Sequence, residues 1–218
     1  MSTYNITNQV VEEYIYSLYK CGNKELADLR DFAEQEHVKI IQRDVEELIL
    51  NLLRIKKPSR LLEIGSAIGY SACTFVNGCG CDVTTIEIDP DIAEDARVNI
   101  KKFGFEDKIE VLVGDASEVL KDLEGPYDVV FIDAAKSYYK YYWDRACELL
   151  TDGGLIICDN ILMKGMTASS EFDRRKRYKT SIRHMRNFLE YITNQEYADT
   201  CVLSVGDGVS LSVITKNE

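Results

Sequence analysis

Histidine is scarce in this chain: His37 and His184 are the only two in 218 residues. That argues against a histidine-rich metal centre or a Ser-His-Asp triad. No apolar run approaches the roughly 20 residues of a membrane span. The first eight residues are polar and lack the basic and apolar regions of a secretory signal. A dinucleotide-type G-x-G-x-x-G turn is also missing. The seven cysteines are an odd number, scattered mostly through apolar segments, and Cys79-Gly80-Cys81 has neither zinc-knuckle spacing nor a second pair. Reduced, structural thiols in a cytoplasmic protein are the expectation. Internal repeats and low-complexity stretches are absent.

What is present is ordinary for a soluble globular chain, with 45% hydrophobic and 29% charged residues. The length suits one domain able to bury roughly 70% of its unfolded surface. A net charge of −11 argues against a nucleic-acid partner, but the charge is uneven. Residues 171–186 hold seven Arg and Lys (174, 175, 176, 177, 179, 183 and 186) against Glu171 and Asp173. That local surplus of five leaves the rest of the chain sixteen charges negative.

Hydrophobic periodicity predicts a helical preface over residues 1–57. Val10, Val11, Tyr14, Ile15 and Leu18 mark one face, Leu26, Leu29 and Phe32 a second, and Val45, Leu48, Ile49, Leu52 and Leu53 a third. From 58 to 218 short apolar runs alternate with helices, the pattern of an α/β, doubly wound parallel sheet. Strands are predicted at 60–64, 82–88, 108–113, 127–132, 153–158, 198–205 and 208–215. Helices are predicted near 69–78, 90–104, 115–122, 137–150 and 177–194. Gly206-Asp207-Gly208 is a hairpin-sized link, so the last two strands should be antiparallel. A basic insertion at 163–177 is the one long irregular segment, and long loops are often functional.

Ligands bind at the carboxyl ends of parallel strands, and the unusual acids fall there. Glu63 sits at the end of the first strand and the turn Gly65 to Gly69 follows it; an acid in place of a phosphate cradle favours a cationic ligand such as S-adenosylmethionine. Glu87 ends the second strand, where a carboxylate could accept ribose hydroxyls, while Asp89 is equally readable as a helix N-cap. Asp115 follows the third strand, placed either to meet an adenine amino group or to cap a helix. Asp133 follows the fourth strand, and Asp159-Asn160 the fifth. Two carboxylates and an amide make a hard-oxygen set suited to Mg²⁺ or Ca²⁺, or else two N-caps and a loop Asn. Lys136 is either a solvated lysine or, beside a divalent cation, a general base with a lowered pKa. The aromatic run Tyr138, Tyr139, Tyr141, Tyr142 and Trp143 is expected to pack a helix against the sheet or a subunit interface, with one or two bordering the substrate and none assigned a catalytic role. Arg174-Arg175-Lys176-Arg177 is either a solvated helix start or a phosphate footprint; basic residues in a helix's first turn oppose its dipole, which favours the footprint.

Three segments, Leu62-Glu-Ile-Gly-Ser-Ala-Ile-Gly-Tyr-Ser71, Ile132-Asp-Ala-Ala-Lys136 and Asp159-Asn160, resemble the cation-dependent O-methyltransferases, which include catechol and caffeoyl-coenzyme A methyltransferases. The likeness runs from about residue 30 to the end. It implies a class I S-adenosylmethionine-dependent (Rossmann-like) seven-stranded sheet with its last strand antiparallel, Mg²⁺ as metal, and often a homodimer. Carried over by position, Glu63, Gly65, Tyr70, Ser71, Glu87, Asp115, Ala116, Asp133 and the backbone near Ile40 line the donor site. Asp133, Asp159 and Asn160 hold the metal, and Lys136 takes the proton. Within the family the chain resembles the bacterial branch that methylates 5-hydroxyuridine in tRNA, sharing Asp-Asn-Ile-Leu-Met-Lys-Gly, Val-Gly-Asp-Gly and the basic segment. Plant members resemble Asp-Ala-Asp-Lys where this chain has Ala135. The resemblance therefore implies an anticodon loop as partner, bound through Arg174, Arg175, Lys176 and Arg177. A small catechol-like or caffeoyl-type phenol is the alternative substrate, and a catalytically idle RNA-binding protein a further one.

Overall fold

The computed structural model describes residues 8–173 and 175–216, with the Ser170 side chain left aside. Helix α1 (Gln9–Leu18) comes first. The chain then forms two compact units, Tyr16–Leu123 and a second whose described part is 8–15 with 124–173 and 175–216.

The first unit holds α2 (Lys24–Gln35), α3 (Arg43–Lys56), β1 (Arg60–Ile64), α4 (Tyr70–Cys79), β2 (Asp82–Glu87), α5 (Pro90–Lys102), β3 (Ile109–Val113) and α6 (Ala116–Asp122). Asn23 caps α2, its side chain accepting from the Glu25 and Leu26 amides at 2.9 and 3.2 Å. Helices α2 and α3 pack on α4 within this unit. Strands β1, β2 and β3 are parallel, Ile64 facing Ile86 and Glu87 facing Val113. Leu61, Leu62 and Ile64 are fully buried, as residues covered on both faces of a parallel sheet should be.

The second unit holds β4 (Tyr127–Ile132), a 3₁₀ turn (Lys136–Tyr138), α7 (Tyr139–Leu149), β5 (Leu150–Cys158), α8 (Lys179–Ile192), β6 (Ala198–Leu203) and β7 (Val209–Ile214). β4 and β5 are parallel; β7 runs antiparallel to both β5 and β6. Within the first unit the strands run in the order β3-β2-β1, and within the second in the order β4-β5-β7-β6. Trp143 is fully buried, donates Nε1–H to Ser212 Oγ at 3.3 Å and meets Tyr191 edge-on at 5.8 Å. Tyr139 meets Phe188 edge-on at 5.6 Å, so the aromatic run anchors α7 to α8.

Several boundaries differ from the expectation for identifiable reasons. β5 begins at Leu150, not 153, because Leu150 already pairs with Tyr127 ahead of the register shift against β4. The helix expected at 115 starts at Ala116, with Asp115 as its cap. The helix expected at 137 opens as a 3₁₀ turn. The last hairpin is longer than three residues because Asp207 and Gly208 turn their carbonyls elsewhere: Leu162 N–H reaches Asp207 O at 2.9 Å and Ile161 N–H reaches Gly208 O at 3.0 Å. The apolar face of α1 is not core: Val10, Tyr14 and Leu18 are 72%, 65% and 58% exposed. Among the described residues no helix is long and apolar enough to cross a membrane.

Gly208 has φ 88°, and a Cβ there would stand 2.4 Å from Leu162 Cγ. Gly208→Ala should therefore destabilise the fold by about 1–3 kcal/mol. Calorimetry should show a fall of several degrees in melting temperature, and an unchanged midpoint would contradict the packing described.

Candidate functional site

The turn after β1 is suspended from the end of β2. Gly65 and Ser66 both donate their amides to Ile86 O, at 3.0 and 3.1 Å, and Ala67 donates to Glu87 Oε2 at 2.9 Å. Gly65 and Gly69 sit at φ 105° and 76°, where a side chain is strained, and Ala67 accepts that cost at φ 45°. Glu63 is fully buried, and its carboxylate accepts the Ser71 and Thr85 hydroxyls at 2.5 Å each. It therefore ties the first turn of α4 to β2 rather than standing open to a cation. Tyr70, 1% exposed, donates its hydroxyl to Glu46 Oε2 at 2.8 Å and accepts from Arg30 Nε at 2.9 Å. The buried Ser66 hydroxyl has no partner among the described residues.

The other expected donor residues flank this turn. Glu87 is almost buried; besides Ala67 it accepts the amides of Ile88 and Asp89 at 3.0 and 3.1 Å. Asp89 caps α5 through the Asp91 and Ile92 amides. Asp115 caps α6 and is exposed, and its hydrogen bonds from the Ser117 hydroxyl and amide hold its carboxyl below the ordinary range. Ala116 is buried and Ile40 half-buried. All lie in the first unit; Asp133 lies in the second.

In the second unit β4 and β5 end level, Ile132 facing Cys158, with Asp159 N–H donating to Ile132 O at 2.9 Å. Asp133 and Asp159 follow directly. Lys136 Nζ donates to Asp133 Oδ1 at 3.1 Å, to Asp159 O at 3.2 Å and to the Tyr139 hydroxyl, which donates in turn to Asp159 O at 2.8 Å. Asn160 takes φ 56°, a conformation Asn tolerates, and its amide donates to Asp159 Oδ1 at 2.6 Å. Asp159 Oδ2 is buried with no partner among the described residues. Burial first, and Asp133 second, push the Asp159 carboxyl up to about 8. A carboxylate in this condition fits a cation, which would answer the open oxygen and offset Asp133. Among the described residues no group of three or more His, Cys, Asp and Glu is placed to hold a metal. The oxygen-bearing side chains at these strand ends that could hold a cation are Asp133, Asp159 and the Asn160 amide.

Two residues here were missed in the sequence. Tyr139 touches Lys136, and the signal was its i+3 spacing, which eclipses side chains in a 3₁₀ turn. Asp207 accepts the Lys164 amide, and burial raises its carboxyl, with Asp133 adding to the rise. It steadies the segment after β5, where Met163 and Lys164 also hold positive φ.

Of the basic run, Arg174 lies outside the described residues, while Arg175, Lys176 and Arg177 are exposed. They precede α8, which starts at Lys179, so the argument from an unfavourable helix dipole does not apply to them. The buried Asp173 carboxylate instead organises this segment, accepting the Arg177 and Tyr178 amides at 3.2 and 3.3 Å. Arg186 is in structural use, donating to Thr167 O at 2.7 Å.

A family model described as O-methyltransferase matches residues 16–215. The caffeoyl-CoA O-methyltransferase of Stellaria longipes is 30% identical over 199 residues, covering 81% of this chain and 83% of that one. A Staphylococcus aureus structure assigned as a caffeoyl-CoA O-methyltransferase superposes with TM-score 0.89 at 30% identity, over 94% of this chain and 100% of that one. The SAH-bound structure of a Podospora anserina methyltransferase superposes with TM-score 0.86 at 24% identity, over 99% and 100% of the two chains, and shares the fold.

The raised Asp159 carboxyl has a consequence for stability. The folded chain keeps a proton that the unfolded chain releases near pH 4, so metal-free stability should fall as pH rises from about 4 to about 8. A divalent cation must displace that proton, so Mg²⁺ should bind more tightly as pH rises through the window. Asp159→Asn should flatten the pH profile of the melting temperature and abolish proton release in titrations with Mg²⁺. A variant profile that still slopes like the wild type would refute the assignment.

Proposed function

Because the chain belongs to the O-methyltransferase family, we propose that it moves the methyl group of S-adenosylmethionine onto 5-hydroxyuridine in tRNA, giving 5-methoxyuridine at the wobble position. The observation that carries the chemistry is the unanswered Asp159 Oδ2 beside Asp133 and Lys136. S-adenosylmethionine supplies a methyl group activated by a sulfonium, with the glycine turn, Ser71, Glu87 and Asp115 as its proposed contacts. Asp133, Asp159 and Asn160 would hold Mg²⁺, which when bound would supply a Lewis acid to lower the pKa of the acceptor hydroxyl. Both catechol and 5-hydroxyuracil present a hydroxyl beside a second oxygen, so either can chelate such a site.

The chain's own residues handle the proton. Asp133, the Asp159 carbonyl and the Tyr139 hydroxyl form a cradle for an ammonium at Lys136 Nζ. Lys136 is the proposed residue to take the acceptor's proton, and these contacts hold its Nζ at the ends of β4 and β5. Burial raises the Tyr139 hydroxyl well above its ordinary value, so it serves as a fixed dipole rather than as an acid.

The acceptor reading rests on the segment before α8. Exposed Arg175, Lys176 and Arg177 are flanked by Phe172 and Tyr178, 51% and 50% exposed. Cations for phosphates and aromatic faces for splayed bases are what single-stranded RNA loops require. Ala135 removes a carboxylate from the edge of the oxygen set, which also suits a polyanion. The relatives named for caffeoyl-CoA favour a small phenol as the second reading. For the exposed stripe on α1 a second copy of the chain is the proposed cover.

Deleting the gene should make 5-hydroxyuridine accumulate in tRNA, read by mass spectrometry of nucleosides; an unchanged profile would favour the phenol. Replacing Arg175, Lys176 and Arg177 with Ala should weaken tRNA binding and reduce its salt slope by about 2–3. Catechol methylation should survive that change, and EDTA should abolish both reactions.

A further inference from the structure

Arg30, on α2, is 2% exposed, and its guanidinium makes four hydrogen bonds. Nε donates to the Tyr70 hydroxyl at 2.9 Å, and Nη1 to Glu34 Oε1 at 3.1 Å. Nη2 donates to the Ile41 carbonyl at 2.9 Å and to Glu46 Oε2 at 2.5 Å. The plane lies 4.7 Å from the centre of the Tyr70 ring and 5.6 Å from that of Tyr19. Glu46, equally buried, accepts the Tyr70 hydroxyl at 2.8 Å on one oxygen and the Tyr19 hydroxyl on the other.

This arrangement is a costly route to stability, because apolar residues of similar volume often replace a buried ion pair without loss. What it supplies is geometry. One rigid fork joins the backbone at Ile41, next to Ile40, to Tyr70, the first residue of α4 and the neighbour of Ser71. Those are two separate segments assigned to the methyl donor, some thirty residues apart in the chain.

We propose that Arg30 is a positioning residue for the donor site: through Tyr70 and the Ile41 carbonyl it sets the spacing of the 40–41 backbone and the 69–71 turn, without touching the donor. The proposal rests on the donor assignment above. Lysine cannot replace arginine here, because a compact ammonium satisfies Glu46 but cannot span both the tyrosine hydroxyl and the carbonyl.

The test is calorimetric titration with S-adenosylhomocysteine, which needs no knowledge of the acceptor. Arg30→Lys should fold and bind about tenfold more weakly. Its KM for S-adenosylmethionine should rise in parallel, while kcat at saturating donor and the KM for the acceptor change by less than threefold. The double variant Arg30→Met with Glu46→Leu removes the buried charges together, so it should keep its melting temperature yet show the same loss of affinity. Either folded variant binding within twofold of wild type would overturn the proposal, as would a loss confined to melting temperature. No binding by the wild type would instead overturn the donor assignment, and the proposal with it.

Discussion

A buried carboxylate oxygen with nothing to answer it is among the more expensive features a fold can carry, and Asp159 carries one at the end of β5. The surroundings hold this residue without relieving it. Its own carbonyl is occupied by Lys136 and Tyr139, and its second oxygen takes the Asn160 amide. The segment that follows is kept in left-handed conformations by Asp207 and by a glycine at 208 that leaves room for Leu162. A site that only needed stability would have an amide or a second cation at this place. Retained open capacity is what a cation-binding role requires, and the strain around it has a reason on that reading.

The other buried acids make the contrast. Glu63 is satisfied by two hydroxyls, Glu87 by three amides, and Glu46 by two tyrosines and an arginine. Each links elements that the turn after β1 depends on, so their work is architectural whether or not a ligand is present. Among carboxylates at strand ends, Glu63 and Glu87 thus build the turn, whereas Asp159 keeps one oxygen open. Position at a strand's end does not tell them apart; the partner of each oxygen does.

That division also marks what could be read from the sequence. Apolar runs such as Val129 to Ile132 and Leu155 to Cys158 revealed buried strands because parallel pairing covers both faces, and Asp133 and Asp159 were visible as the residues that end them. Gly65 and Gly69 announced the turn, since few other residues take positive φ. Less was legible where long-range contacts decide. Nothing local says that Thr85 and Ser71 close on Glu63, that Arg30 reaches Tyr70 across forty positions, or that the last hairpin lends its carbonyls to Ile161 and Leu162. The start of α8 was misplaced for a related reason. Asp173 binds the Arg177 and Tyr178 amides and delays the helix to Lys179, so basic residues that looked helical lie in a loop.

The same loop bears on how an acidic protein could select a nucleic acid. With −11 overall, the chain as a whole is unfavourable to a polyphosphate, and the run of cations from 174 to 186 is the proposed point of attraction. Such a distribution suppresses non-specific binding along a duplex, where affinity grows with the number of phosphates neutralised. Affinity from three or four cations is modest, so discrimination on the proposed reading falls to the oxygen set. Chelation demands a hydroxyl beside a second oxygen, which the ordinary bases do not offer. Weak capture followed by a strict chemical test is a coherent division of labour for an enzyme that must find one modified nucleotide among many unmodified ones.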